Sequence, residues 1–379
     1  LELLLGLYFA SIAVTVNQFK VPPAIPLLVQ ELGMSYSQAG MLMSLFALSG
    51  FLLGIPSGWL VRVLGLRWSG FLAVAATAAG SLLGGLSGGP YFLMVCRLVE
   101  GFGMGTMTIV GPLAVTSGFS PSSRGLAMGV LSTWVPAGGI IGLLLAPVGV
   151  GLGGWRFLWF AGAGLAAAAS VVYLRATEQL PGFPKEGRGE AVRLLLTRGP
   201  WLLALLFCVY TTVRIGYNSW IPTYIYQAGG SLALASFMAT LNLIPTIPSN
   251  LMAGWLVQRL GSERAVYTLG FGLATPFWLL TFLWPVHLAP VALLILGGLA
   301  GMVPTSIFLA APRLAGRPAD ASLAGSVVTM GQNLGMVLGP WLIGVGIEAT
   351  GSWPAIGAGL SALSLVGIAA GWAAGQSRS

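Results

Sequence analysis

The chain has 379 residues, 56% of them hydrophobic and only 7% charged, with a formal charge of +8. A soluble domain carries roughly 25% charged residues, because it must cover its surface with polar groups. Composition therefore excludes a soluble globular protein and predicts one that lies in a lipid bilayer.

Crossing a bilayer takes about 20 apolar residues. Twelve such runs are visible, at 3–28, 38–61, 67–87, 90–116, 125–149, 156–174, 200–226, 232–258, 264–284, 289–311, 322–346 and 353–374. The first is too long for the core of a cleavable signal peptide. It carries Asn17, Gln18 and Lys20, then Pro22, Pro23 and Pro26, which end or kink it. The loop after the second run holds Gly58, Arg62, Gly65 and Arg67. The fourth run contains Arg97 and Glu100, with Gly101 and Gly105 spaced for close helix packing. Cys96 there and Cys208 in the seventh run read as small buried hydrophobes, since a disulfide framework belongs in exposed loops.

Residues 176–199 form the longest polar stretch and divide the chain into 1–175 and 200–379. The seventh run carries Arg214, with Tyr210, Tyr217 and Asn218 four before, three after and four after it on one helix face; Pro222 is expected to bend it. The eighth holds Asn242 and is interrupted by Pro245 and Pro248; Gly254 and Gly261 follow. The lone His287 falls in a loop, and Pro304 bends the tenth run. Gln332 and Asn333 sit in the eleventh beside the Gly331, Gly335, Gly339 stripe.

Basic residues concentrate in alternate loops: Arg62 and Arg67; Arg124; Arg175, Lys185, Arg188, Arg193 and Arg198; Arg259 and Arg264; Arg313 and Arg317; and Arg378 at the end. The opposite loops hold only Arg156. This asymmetry follows the positive-inside rule and predicts a multi-pass protein of the cell membrane with both termini cytoplasmic. It also accounts for the positive charge without nucleic acid.

The two halves repeat. GWLVRVLG at 58–65 returns as GWLVQRLG at 254–261, an offset of 196 that also sets Ile25-Pro26 on Ile221-Pro222 and Gln18 on Arg214. Gly103-Met104 and Gly301-Met302 match at an offset of 198. Matched six-span halves predict two helical bundles with a solute site at their interface.

On these residues the chain resembles the major facilitator superfamily over its whole length. The glycine skeleton Gly58/Gly65 with Arg67 beyond, the fourth-span pattern Leu93, Arg97, Glu100, Gly101, Gly103, and Gly154-Trp155-Arg156 at the sixth span carry the likeness. It implies an all-α membrane fold of twelve helices in two pseudo-symmetric six-helix bundles. It also implies gating loops at Gly58, Arg62, Gly65, Gly254 and Gly261. The chain also departs from the pattern, and the fifth-span glycine-proline signature of drug/proton exporters is absent from 134–149. Where the family loop usually has an Asp, this chain has Arg62, and Gln258 in the second half.

Function is read from charge inside the membrane. Lys20, Arg97 and Arg214 are three cations against one carboxylate, Glu100, and each buried charge is costly enough to mark a site. Helical rise sets them roughly 12, 10 and 15 Å from the outer ends of their spans. The resemblance implies that these three helices line a central cavity. Lys20 reads either as a solute ligand or as a stem reaching the headgroups. Arg97 reads as a solute contact or as the helical partner of Glu100. Arg214, with a guanidinium that matches a carboxylate through two parallel bonds, reads as the solute anchor. Asn17, Gln18, Tyr210, Tyr217, Asn218, Asn242, Gln332 and Asn333 complete the expected substrate-binding set, with Glu100 as the proton-coupling group.

The expectation is a monomeric carrier of a small anion, a carboxylate first, working by alternating access with proton symport or with exchange. The family branches it looks most like move cyanate, nitrate or small organic anions. The alternatives are a multidrug/proton antiporter and an inorganic-anion carrier. No cofactor or metal is expected, and the absence of a nucleophile–base pair or ligand cluster among the buried residues argues against an enzyme.

Overall fold

In hydrocarbon every backbone N–H and C=O must be paired within the protein, and a helix does this within one segment. All regular elements in the computed structural model are accordingly helical among the described residues, which are 1–178, 180, 198–314 and 321–376. In chain order they are α1 (Glu2–Phe19), α2 (Val21–Leu32), α3 (Tyr36–Gly85), α4 (Pro90–Gly118), α5 (Pro121–Ser132), α6 (Trp134–Ala176) and α7 (Arg198–Gln227). The order continues with α8 (Leu232–Leu243), α9 (Thr246–Leu260), α10 (Glu263–Leu283), α11 (Ala289–Leu299), α12 (Met302–Leu314), α13 (Ala321–Thr350) and α14 (Trp353–Gln376). Nine helical segments among the described residues are long and apolar enough to cross a bilayer. One of these, Ser122–Ala176, takes in two of the apolar runs and is interrupted at Gly153 and Gly154. The runs at 38–61 and 322–346 lie within α3 and α13.

Local chemistry explains several ends and bends. Ser35 caps α3 by accepting from the Gln38 amide at 3.2 Å, while the Gln38 side chain accepts from the Ser35 amide at 3.0 Å, a reciprocal capping box. Gly65 interrupts α3 with φ 75°, and its repeat mate Gly261 ends α9 with φ 65°. Both φ values are positive, which favours glycine, but ψ is 171° at Gly65 and 14° at Gly261, so the repeated motif makes two different turns. Pro245 and Pro248 accompany the break between α8 and α9, as expected. Pro222 lies inside an unbroken α7, whose lost bond is a single one supported by burial along the whole helix.

The chain forms two compact units: Leu1–Glu186 with Ser231–Phe237, and Gly187–Gly230 with Met238–Ser379. Most of the expected linker at 176–199, namely 179 and 181–197, lies outside the described residues. Inside each unit the same contacts recur. In the first, the Trp155 indole N–H donates to Glu31 at 2.9 Å; in the second, Trp353 donates to Gln227 at 3.0 Å. These pairs obey the sequence offsets, 31 to 227 at 196 and 155 to 353 at 198.

Glycine stripes set the helix spacing. A methyl added at Gly138 would meet Thr15 at 2.6 Å, and one at Gly142 would meet α1 at 3.2 Å. Their counterparts Gly335 and Gly339 would meet the Cys208 and Thr212 carbonyl oxygens at 2.3 and 2.4 Å. On α4, Gly101 abuts the Phe46 carbonyl and Gly105 the Gly50 backbone, so the fourth-span pair packs against α3. Gly335→Val is therefore expected to cost at least about 1–3 kcal/mol through overpacking. Gly359→Ala, where a methyl meets nothing within 4 Å, is expected to be tolerated. Thermal melts of the two purified variants check this; equal melting temperatures would remove the packing argument.

Candidate functional site

The first unit holds its charges in a closed network. Lys20, at the junction of α1 and α2, donates to Asn17 Oδ1 at 2.8 Å, Ser81 Oγ at 2.6 Å and Glu100 Oε1 at 3.1 Å. Arg97 on α4 donates to the other Glu100 oxygen, to the Asn17 carbonyl at 3.0 Å and, through Nε, to the Leu42 carbonyl at 3.2 Å. Aromatic faces cover both cations, with Lys20 Nζ 4.6 Å from the Trp159 ring and Arg97 4.4 Å from Phe46. Asn17 donates to the Ala13 and Gly162 carbonyls at 2.9 and 3.1 Å, and Ser81 donates to the Trp159 carbonyl at 2.6 Å. Four helices, α1, α3, α4 and α6, are thereby tied at one level.

Lys20 and Arg97 thus each meet a carboxylate oxygen within the first unit. Lys20 is 3% exposed and Arg97 and Glu100 are 0% exposed, and the carboxylate serves both cations at once. Lys20 does not reach for headgroups, because its ammonium has three oxygen partners inside the unit. The network keeps one positive charge in excess, and Arg97 Nη2 has no hydrogen-bond partner among the described residues. Gln18, also buried, leaves its Oε1 without a partner there.

Arg214 stands in the other unit on different terms. It is 7% exposed, and its hydrogen-bond partners are neutral: Thr246 Oγ1 at 2.9 Å and the Leu296 and Asn242 carbonyls, both at 3.5 Å. All three partners sit beside helix breaks, α8 to α9 and α11 to α12, where backbone carbonyls are released from helical bonding. Pro304 has no N–H for the Ala300 carbonyl, and the Tyr210 hydroxyl donates to that carbonyl instead. Arg214 has no ion pair among the described residues. A buried charge without a counter-charge is expensive unless something else supplies it.

The expected polar stripe around Arg214 is narrower than its spacing suggested. The Tyr210 hydroxyl is used on Ala300. The Tyr217 hydroxyl lies 2.9 Å from Thr281 Oγ1, which itself donates to the Phe277 carbonyl, so Tyr217 is the donor and faces α10. Asn218 is half-buried on α7, and Gln332 and Asn333 are half-buried on α13. Asn242 is 1% exposed, with neither amide atom bonded among the described residues. Among the expected gating positions, Gly65 and Gly261 form the turns described above, and Gly254 lies on α9 with open space beside it. Of Gly58 and Arg62 only the helical backbone is described.

Sequence reasoning missed Ser81, Trp159, Phe46 and Thr246. A serine or threonine in a lipid-buried run is an ordinary helix component, and nothing in the one-dimensional pattern ties Ser81 to Lys20 across 61 positions. Thr246 had a signal, its place between Pro245 and Pro248, which frees carbonyls that need a donor.

Comparison with known proteins agrees with this architecture. The family model for the Major Facilitator Superfamily matches residues 7–321 and 228–377. A probable sulfoacetate transporter, SauU of Cupriavidus necator, is 24% identical, covering 89% of this chain and 85% of its own. The cyanate transport protein CynX of Escherichia coli is 25% identical over 88% of this chain and 86% of its own. A putative multidrug resistance protein, MdtD of Salmonella paratyphi B, is 26% identical over 90% and 84%. Among solved structures, a bacterial homologue of the human lysosomal transporter Spinster, in an inward-facing and occupied conformation, superposes with a TM-score of 0.84. The match is 16% identical and covers 99% of this chain and 96% of that one.

Proposed function

The chain belongs to the major facilitator superfamily and is a membrane transporter, not an enzyme; from that premise we propose that its solute is a small anion, with a carboxylate as the leading class. The observation that carries this is Arg214, a buried cation whose partners are all neutral and two of whose three bonds are as long as 3.5 Å. An arriving carboxylate supplies the missing charge and replaces long bonds with short, charge-assisted ones. Thr246 and Asn242 stand beside it as neutral contacts. The relatives named for sulfoacetate and cyanate support an anion. The relative named for multidrug resistance supports the alternative of cationic drug export. That alternative lacks a receptor here, because the one carboxylate within the described charge network, Glu100, is already shared by Lys20 and Arg97.

On this reading the protein resides in the cell membrane with both termini cytoplasmic, and transport runs by alternating access. Coupling is assigned to the Lys20–Arg97–Glu100 network. The test is counterflow in proteoliposomes. Vesicles loaded with small carboxylates, sulfonates, cyanate or nitrate are compared with vesicles loaded with lipophilic cations or neutral sugars. Trans-acceleration by the carboxylates is expected. Acceleration by the cations alone would overturn the anion reading while leaving the family assignment intact.

A further inference from the structure

The second unit contains a cleft of about 440 Å³ that no transport step uses, lined by Ser262, Arg264, Ala265, Thr268, Leu269 and Trp372. It lies where the first turn of α10 meets the last turns of α14, at the ends of two segments able to cross a bilayer, Glu263–Leu283 and Trp353–Ala373. Arg264 and Thr268 are one turn apart and share a face of α10. The Arg264 guanidinium lies 3.8 Å from the centre of the Trp372 ring, a cation–π contact between two residues that line the cleft.

Two polar atoms there are shielded from solvent and have no hydrogen-bond partner among the described residues: Arg264 Nε and Thr268 Oγ1. The carboxylate next to Arg264 in sequence, Glu263, pairs with Arg313. The Ser262 hydroxyl is occupied as the cap of α10, accepting from the Ala265 amide at 3.2 Å. Arg264 thus carries a charge without an ion pair among the described residues, and it lines the open space together with Thr268. Beyond them the walls turn apolar and open: Leu269 is 44% and Trp372 50% exposed.

A polar end that offers N–H and O–H donors with one positive charge, continuous with an apolar outer wall, matches a molecule that is anionic at one end and apolar at the other. We propose that this cleft binds the headgroup of an anionic phospholipid. The phosphodiester oxygens accept from Arg264 and Thr268, and the acyl chains lie along Leu269 and Trp372. Basic pockets at the ends of membrane helices recognise headgroups through this combination of charge and depth, and tryptophan favours the same interfacial level. A free phosphate would meet the donors but leave the apolar wall uncovered, so the occupant is the lipid.

Native mass spectrometry of the detergent-purified full chain tests this with phosphatidylglycerol, phosphatidylcholine and glycerol phosphate as probes. Wild type is expected to retain phosphatidylglycerol about tenfold more than phosphatidylcholine, and glycerol phosphate not at all. Arg264→Gln should erase the difference between the two lipids, and Thr268→Val should reduce it while leaving the charge in place. Each variant's melting temperature, read without added lipid, shows that it is folded; if Arg264→Gln fails to fold, Thr268→Val carries the test. Equal retention of both lipids by wild type, unchanged selectivity in the folded variants, or equal binding of glycerol phosphate would each overturn the proposal.

Discussion

Replacing Arg214 with glutamine is expected to abolish anion counterflow while leaving the protein folded. The choice of glutamine follows from the two tasks the structure gives this side chain. Its N–H groups reach the Leu296 and Asn242 carbonyls and Thr246 at two helix breaks, and its charge stands buried without a carboxylate. Arg214→Ala removes both at once and leaves buried carbonyls unmet, at about 1–3 kcal/mol each. Loss of transport in that variant would be ambiguous. Glutamine keeps a donor in the same place and removes only the charge. A charge-assisted bidentate contact is worth several kcal/mol on desolvation, so the loss in apparent affinity should be on the order of 100-fold or more. Arg214→Lys, which restores charge without the planar fork, should recover part of the uptake. Counterflow by Arg214→Gln at the wild-type rate would show that the guanidinium is a cap for broken helices and nothing more.

That dual role marks the limit of what the sequence disclosed. The membrane fold was legible because it rests on one-dimensional signals: apolar run length, loop charge and a repeat with a nearly constant offset. The glycine stripes were legible for the same reason, since close packing repeats every four residues along one helix. Partnership was the hidden part. Glu100 and Arg97 could be paired from their spacing on α4, but the third member, Lys20, joins from α1 across 80 positions, and Ser81 from α3. Helical spacing sets Tyr210 and Tyr217 near Arg214 along α7. Their hydroxyls nevertheless turn to a proline-freed carbonyl and to Thr281, partners that only packing reveals. Spacing thus identified which residues carry polarity, and the surroundings decided whether that polarity was already spent.

Glu100 gives the sharpest expected effect on stability, and its sign comes from counting charges. The network of Lys20, Arg97 and Glu100 holds one net positive charge, is closed to solvent, and uses each carboxylate oxygen on a different cation. Glu100→Gln raises that net charge to two and leaves both cations without a counter-charge. Removing one partner of a buried pair costs about 3–5 kcal/mol, so the single variant should be recovered in low yield with a sharply lowered melting temperature. Lys20→Met moves the other way, leaving Arg97 and Glu100 as a neutral pair with Trp159 to cover the new apolar side chain, and should melt at or above wild type. The double variant Lys20→Met/Glu100→Gln returns the network to one net positive charge and should recover much of the fold. If Glu100 also carries the coupling proton, this rescued chain exchanges internal for external anion at a normal rate yet builds no gradient under an inward proton gradient. A Glu100→Gln chain as stable as wild type would refute the charge account. A rescued double variant that still concentrates solute against its gradient would move proton coupling to another group.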